Sequence, residues 1–562
     1  MRSFIRFSFF TIAVVLCLPF SQTLAQRPDF NRARTYDVES YLLRVNFDRP
    51  AKKVLGETTI SFKPLKDGLA SLNFDAVGIK FTSVTLEPSG TSLKYATDSN
   101  GIRVTLDRGY KSTETVTMKF VHSSTPKKGV YFIPEEKDGE KVIHSAQIYT
   151  QGEPDEARYW FPSFDFPSDK ATVEQFITAL DGETVVGNGT LVATTNNPDG
   201  TITHHFKADF PTPVYLISFV IGKYVKISEK YKDVPLGYYT YPGMESIVPT
   251  AYGNTKEMMR VFEELTGVPY PFPKYDQTIV AQFPFGGMEN MTATTMSDRD
   301  IFAANIEIMK PAVHDVVSHE LAHSWFGNLV TCRNWAELWL NEGFATFMEA
   351  AFREKMFGRR NYMLKMESDA MEFLADEVTN DKRNGLFNLN AGNVATLFDR
   401  PATTYDKGGV VLHMLREEIG DDAFWRGVNL YLTRNRYGNV ESKDLKAIME
   451  ETSGKNLDWF FAQWVYMAGH PKLNVTNVWN ESSKTLRMTV TQVQKADKIT
   501  PAVFRIPVKV EFTSGGEKKT EDLAIAKRTE VFAFKLPAKP THIRIDPDEK
   551  VPLKTVKLNE LK

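Results

Sequence analysis

Cysteine is nearly absent from this chain: only Cys17 and Cys332 occur in 562 residues. Cys17 lies inside an N-terminal apolar run, so Cys332 stands alone beyond it. An intramolecular disulfide framework is thereby excluded. Cys332 itself reads as an inert buried thiol. An excess of one charge is also lacking. Lys plus Arg number 68 against 70 Asp plus Glu, for a net charge of −2, and no basic run occurs. That balance argues against nucleic acid or an anionic membrane as the main partner. No apolar run reaches the ~20 residues that a membrane-spanning helix needs. No repeat recurs at a fixed period. What is present is ordinary globular composition, 42% hydrophobic and 25% charged, which rules out a collagenous or largely disordered chain.

The N-terminus has the layout of an export signal. Arg2 and Arg6 are followed by an almost wholly apolar stretch from Phe7 to Phe20, and small or polar residues end at Ala25. Cleavage is expected after Ala25, giving a secreted or bacterial periplasmic protein with no membrane-spanning segment after processing. Cys17 follows Leu16, not a small residue, which argues against lipid attachment.

Hydrophobic periodicity divides the rest into three parts. From about residue 35 to 225 the period is two, as in Ile102, Val104 and Leu106 or Val116, Met118 and Phe120, with turn clusters such as 196–200 between runs. This predicts an antiparallel β domain with one dry face. From about 245 to 470 the pattern is helical, with segments expected at 254–265, 311–326, 340–357, 360–377, 407–419, 421–434 and 442–452. Beyond 471 short alternating strands return, as in Phe504 to Phe512, and predict a small β-sandwich. The expected organisation is α+β and multidomain. Residues 1–25 form the signal, 26–228 an N-terminal β domain, 229–471 a mostly helical catalytic domain, and 472–562 a C-terminal β-sandwich.

The chemistry lies in the helical part. His319 and His323 are four apart on an expected helix and share one face, about 5–6 Å apart at Cβ. Two neutral imidazoles so placed converge on one ion, and zinc suits them. Glu320 is rotated about 100° from His319 and stands beside that ion, where a base for water belongs. With only 10 histidines in the chain, this five-residue pattern arises by accident in roughly one such chain per hundred. A third donor is available in Glu342, on the next helix. Glu349, seven residues further on the same helix, is placed to orient a ligand imidazole.

These motifs resemble the gluzincin aminopeptidases, the family of aminopeptidase N and leukotriene hydrolase. The likeness rests on His319-Glu320-x-x-His323 followed by Trp339-Leu340-Asn341-Glu342-Gly343-Phe344-Ala345, on Gly286-Gly287-Met288-Glu289-Asn290, on Thr404-Tyr405-Asp406-Lys407-Gly408, and on Gln151-Gly152-Glu153. It covers roughly residues 35–471, including a terminal stretch at 464–471. The resemblance implies a thermolysin-like catalytic domain with one zinc ion held by His319, His323 and Glu342. Glu320 would be the catalytic base and Tyr405 a hydrogen-bond donor to the oxyanion. Glu289 and Glu153 would anchor the ammonium of a peptide's free N-terminus, with Gln151, Gly286, Gly287, Met288 and Asn290 as further substrate contacts. Two departures stand out. Gly287 is alanine in many relatives, and the large C-terminal helical domain of many relatives has no counterpart here. The expected activity is removal of N-terminal residues from peptides. A zinc endopeptidase on the same scaffold and a catalytically silent peptide-binding protein are the alternatives.

Overall fold

A computed structural model describes residues 27–561. The expected signal segment and Cys17 lie outside the described residues. The first part is built on an eight-stranded sheet whose centre pairs Tyr36–Asp48 with Lys53–Pro64 and with Lys170–Leu180. The alternation read from sequence is real. Along Lys170–Leu180, for example, every second side chain is buried. The antiparallel expectation needs one correction, because Tyr36–Asp48 and Lys170–Leu180 run parallel. Alternation marks a half-buried strand whatever the direction of its neighbour, so it carries no sign of pairing.

The central part is less purely helical than its periodicity predicts. It opens with a five-stranded sheet in the order Val225–Tyr231, Val234–Thr240, Tyr275–Val280, Ala293–Ser297 and Gly287–Met288. The expected boundary at 228 cuts the first of these strands. Tyr275–Val280 and Ala293–Ser297 are buried at every position, lie parallel and show no alternation. The short strand Gly287–Met288 forms the sheet's edge beside the cleft.

Helix Lys310–Ala322 packs against the edge strand Gly287–Met288 of this sheet on one side and against helix Trp339–Phe357 on another. Pro311 occupies the first turn of the former, where its missing N–H costs nothing. That helix stops at Ala322, earlier than expected, and His323 caps it while keeping helical backbone angles. The latter ends at Gly358 as expected. Helices Arg359–Thr379 and Gly408–Ile419 complete the shell. Gly343 and Gly408 touch where two helices cross: a Cβ on Gly343 would lie 2.9 Å from the Gly408 Cα. Only glycine permits that approach, which brings the segment before Gly408 onto the floor of the cleft.

The C-terminal part is a sandwich of a four-stranded and a three-stranded sheet. Phe512 from one sheet and Phe534 from the other meet with ring centroids 4.8 Å apart. Among the described residues no helix is long and apolar enough to cross a membrane.

Candidate active site and metal centre

Most of the side chains singled out above surround one cavity of about 520 Å³. Its base is a trio of acceptors. His319 Nε2 lies 3.2 Å and His323 Nε2 3.3 Å from the same Glu342 oxygen. The other ring nitrogens are already committed. His319 Nδ1 is 2.8 Å from Glu349 Oε1, and His323 Nδ1 is 2.9 Å from the Phe326 carbonyl. A carboxylate and a carbonyl only accept, so each Nδ1 carries the hydrogen and each Nε2 presents a lone pair. Two lone pairs and a carboxylate oxygen thus converge on one point, which demands positive charge. With no ion in place, the trio takes up that charge as protons. Burial works to lower the His319 pKa, yet Glu342 and Glu349 lift it to about 9. Burial works to raise Glu342, yet His323 and His319 pull it down to about 2. One divalent ion with N and O donors satisfies this set, and zinc matches the ligand types.

Glu320 stands at the side of the trio, nearly buried, with Oε2 lacking a hydrogen-bond partner. Burial, only partly opposed by His319 and His323, pushes its carboxyl up to about 8. With a dication held by the trio, this carboxyl would be drawn back toward the ionised form. Its carboxyl group packs on Gly287, where a Cβ would come within 2.5 Å of Glu320 Cδ.

Tyr405 sits in a single π-helical turn, Thr403–Lys407, ahead of Gly408–Ile419. Such wide turns re-aim a side chain and cluster at functional sites. The ring stacks on His319 at 5.9 Å between centroids. Burial, reinforced by Glu342, Glu153 and Glu289, raises its pKa well above the ordinary tyrosine value. The hydroxyl therefore stays protonated and able to donate.

The opposite wall is acidic. Glu153 reaches in from the N-terminal part, and Glu289 from the turn after the edge strand. Ligand-type oxygens of Glu153, Glu289 and Glu342 lie within 4.8 Å of one another. No cationic side chain among the described residues pairs with Glu153 or Glu289, and Oε1 of each is buried with no hydrogen-bond partner. Burial raises the pKa of both, and for Glu153 the neighbouring Glu289 adds to it. The N-terminal part is pinned to the central part here by Asn188 Nδ2 on the Met291 carbonyl at 2.7 Å, and within the central part Asn328 Nδ2 donates to the Glu289 carbonyl at 2.9 Å.

Gly286, Gly287, Met288 and Glu289 line the cavity, whereas Gln151 and Asn290 do not. Gln151 Nε2 points to the Glu153 carbonyl at 3.3 Å and to Met288 Sδ, and Asn290 Nδ2 donates to Thr295 Oγ1 at 3.0 Å. Both stand directly behind the wall, and Gln151 Oε1 and Asn290 Oδ1, like Glu153 Oε1 and Glu289 Oε1, are buried without a hydrogen-bond partner. Phe285, Phe398, Asp315, Lys365 and Asp406 also line the cavity and were not singled out from sequence. Of these, Phe285 adjoins a recognised motif and Asp406 lies within one, while the rest carry no local signal.

The fold and this His–His–Glu centre define a gluzincin-type metallohydrolase scaffold. Two family models match the chain, the Peptidase M1 N-terminal domain over residues 36–216 and the Peptidase family M1 domain over residues 250–464. The chain belongs to peptidase family M1. It is similar to aminopeptidase N of Streptomyces lividans, 33% identical over 347 residues, covering 58% of this chain and 39% of that protein. It is also similar to leucyl aminopeptidase of Saccharolobus solfataricus, 28% identical over 466 residues, covering 82% of this chain and 56% of that protein. Human endoplasmic reticulum aminopeptidase 1 matches at 33% over 318 residues, covering 55% and 33% respectively. The chain thus spans about half the length, or less, of these curated relatives.

Proposed function

We propose that this protein is an exported zinc aminopeptidase that hydrolyses the first peptide bond of peptides with a free N-terminus. The observation that carries the reading is the pair of unpaired buried carboxylates, Glu153 and Glu289, set against the metal trio. Two desolvated anions without a cation of their own are a costly arrangement, relieved when an ammonium enters between them. A peptide's α-amino group, one residue from the scissile carbonyl, fits that role. The related aminopeptidases support the same class of substrate.

His319, His323 and Glu342 would hold the zinc, which when bound supplies a Lewis acid that polarises a carbonyl and acidifies water. Glu320 takes the proton of the attacking water and returns it to the departing amine. Tyr405 donates its hydroxyl to the oxyanion of the tetrahedral intermediate. Gly287 and Met288 offer the free side of an edge strand, on which an extended peptide can add as a further strand. Phe285 and Phe398, 5.8 Å apart between centroids, give the cavity an apolar rim suited to neutral side chains. Export rests on Arg2, Arg6 and the apolar stretch before Ala25. A mature protein that begins at Gln26 is the expected result of N-terminal sequencing.

The test compares hydrolysis of an alanyl or leucyl anilide with that of its N-acetylated twin, each with and without a chelator. Only the free amine should be cleaved, and chelation should abolish cleavage until zinc is restored. Equal cleavage of the acetylated compound would replace this reading with that of an endopeptidase. No turnover by the zinc-loaded protein would leave a silent peptide-binding protein.

A further inference from the structure

Lys365 lines the cavity from helix Arg359–Thr379, and its side chain is only 12% exposed. Its Nζ lies 2.9 Å from Glu349 Oε2 and 2.7 Å from Asp369 Oδ1. The other Glu349 oxygen, Oε1, is the one that receives His319 Nδ1 at 2.8 Å. Each oxygen of Glu349 therefore has one partner, an imidazole on one side and an ammonium on the other. The neighbouring cation, Arg353, is engaged with Asp315 at 2.8 Å and is not available as a substitute. Three helices contribute: Lys310–Ala322 brings His319, Trp339–Phe357 brings Glu349, and Arg359–Thr379 brings Lys365 and Asp369.

We propose that Lys365 is a positioning residue for the metal ligand His319, acting through Glu349. A glutamate held at one oxygen alone keeps freedom about its terminal torsion, and with it the direction of the hydrogen bond it offers. Tied at both oxygens, the carboxylate plane is set, and so is the imidazole whose Nε2 must face the ion. Such outer partners of a ligand imidazole are worth about 10- to 100-fold in metal affinity. Asp369, on the same helix four residues on, holds the ammonium from its far side so that it does not swing into the cleft.

The inference rests on the metal reading of His319, His323 and Glu342, and its test keeps the two apart. Full-length Lys365→Met and Lys365→Arg are compared with the parent by zinc competition against a chromophoric chelator. The visible spectrum of the cobalt-substituted proteins is recorded alongside. Lys365→Met should bind zinc about 10- to 100-fold more weakly and show an altered cobalt spectrum. Lys365→Arg should recover most of both, because a guanidinium also reaches two carboxylates. Should Lys365→Met fail to fold, Lys365→Gln, which keeps a donor without the charge, carries the same expectation. Unchanged zinc affinity and cobalt spectrum in a folded variant, even one with a lowered melting temperature, would show that Lys365 merely pins helices and would overturn the proposal. A parent protein that takes up no zinc would instead overturn the metal reading, and this inference with it.

Discussion

The two walls of the cleft treat their polar atoms in opposite ways. On the metal side each ligand imidazole is tied from behind, His319 by Glu349 and His323 by the Phe326 carbonyl. On the acidic side Glu153 and Glu289 are buried side by side with no donor on Oε1 of either. The first wall is finished before anything binds, whereas the second is completed only by what enters. The difference teaches where binding energy goes. A resident ion needs ligands oriented in advance, while a transient ammonium gains most from anions that have no other partner.

Breaking the metal side should have the larger consequence. Glu320→Gln should lower kcat by about 100- to 10,000-fold while zinc content, measured by atomic absorption, stays at the parent level. A variant that loses its zinc along with its activity would assign Glu320 to the metal and not to the water. Tyr405→Phe should cost about 100- to 1,000-fold in kcat with little change in KM, because its donor is used only in the transition state. A rise in KM with kcat preserved would mean that Tyr405 merely shapes the cavity around His319.

The acidic side should answer differently. Glu289→Gln removes one charged hydrogen bond to an ammonium, worth about 1.5–3 kcal/mol. By the usual conversion this is about 10- to 150-fold in kcat/KM. Glu153→Gln should behave alike, and neither change should alter zinc affinity. If either weakens zinc binding, the two walls are not independent, and the oxygens placed near Glu342 belong to the metal's environment.

Much of the metal side is legible in the sequence because helical spacing translates directly into a shared face. His319, Glu320 and His323 need only that rule, and Glu342 follows from a turn and a second helix. Glu349 is readable for the same reason, being seven residues from Glu342 along one helix. Lys365 is not, since its link to Glu349 and onward to His319 spans three helices and no spacing announces it. The acidic side depends on a contact between two distant parts of the chain, so Glu153 was recognisable only through its motif. Gln151 and Asn290 share those motifs yet lie just behind the cavity lining, a distinction that spacing along the chain does not reveal. The five-stranded sheet escaped notice for another reason. Strand Ala293–Ser297 reads Ala-Thr-Thr-Met-Ser and is buried throughout, so neither alternation nor an apolar run betrays it.

The smallest expected effect falls at the border between the walls, where Gly287 belongs to the edge strand beside Glu289 but touches Glu320. A methyl group there would lie 2.5 Å from Glu320 Cδ, so the carboxyl group must retreat by about 1 Å to reach ordinary contact. Displacement on that scale can cost up to about 100-fold when a reacting group has nowhere else to stand. Glu320 is a long side chain with an unpartnered oxygen, so it can yield and the loss should be smaller. Gly287→Ala should therefore lower kcat by about tenfold or less, with zinc content and the preference for a free amine both retained. A change in that preference would show that the edge strand, and not Glu320, had given way, and that the two walls share a hinge at this residue. An unchanged kcat would mean that Glu320 slides along the strand freely, leaving the imidazoles as the only rigid part of the metal side.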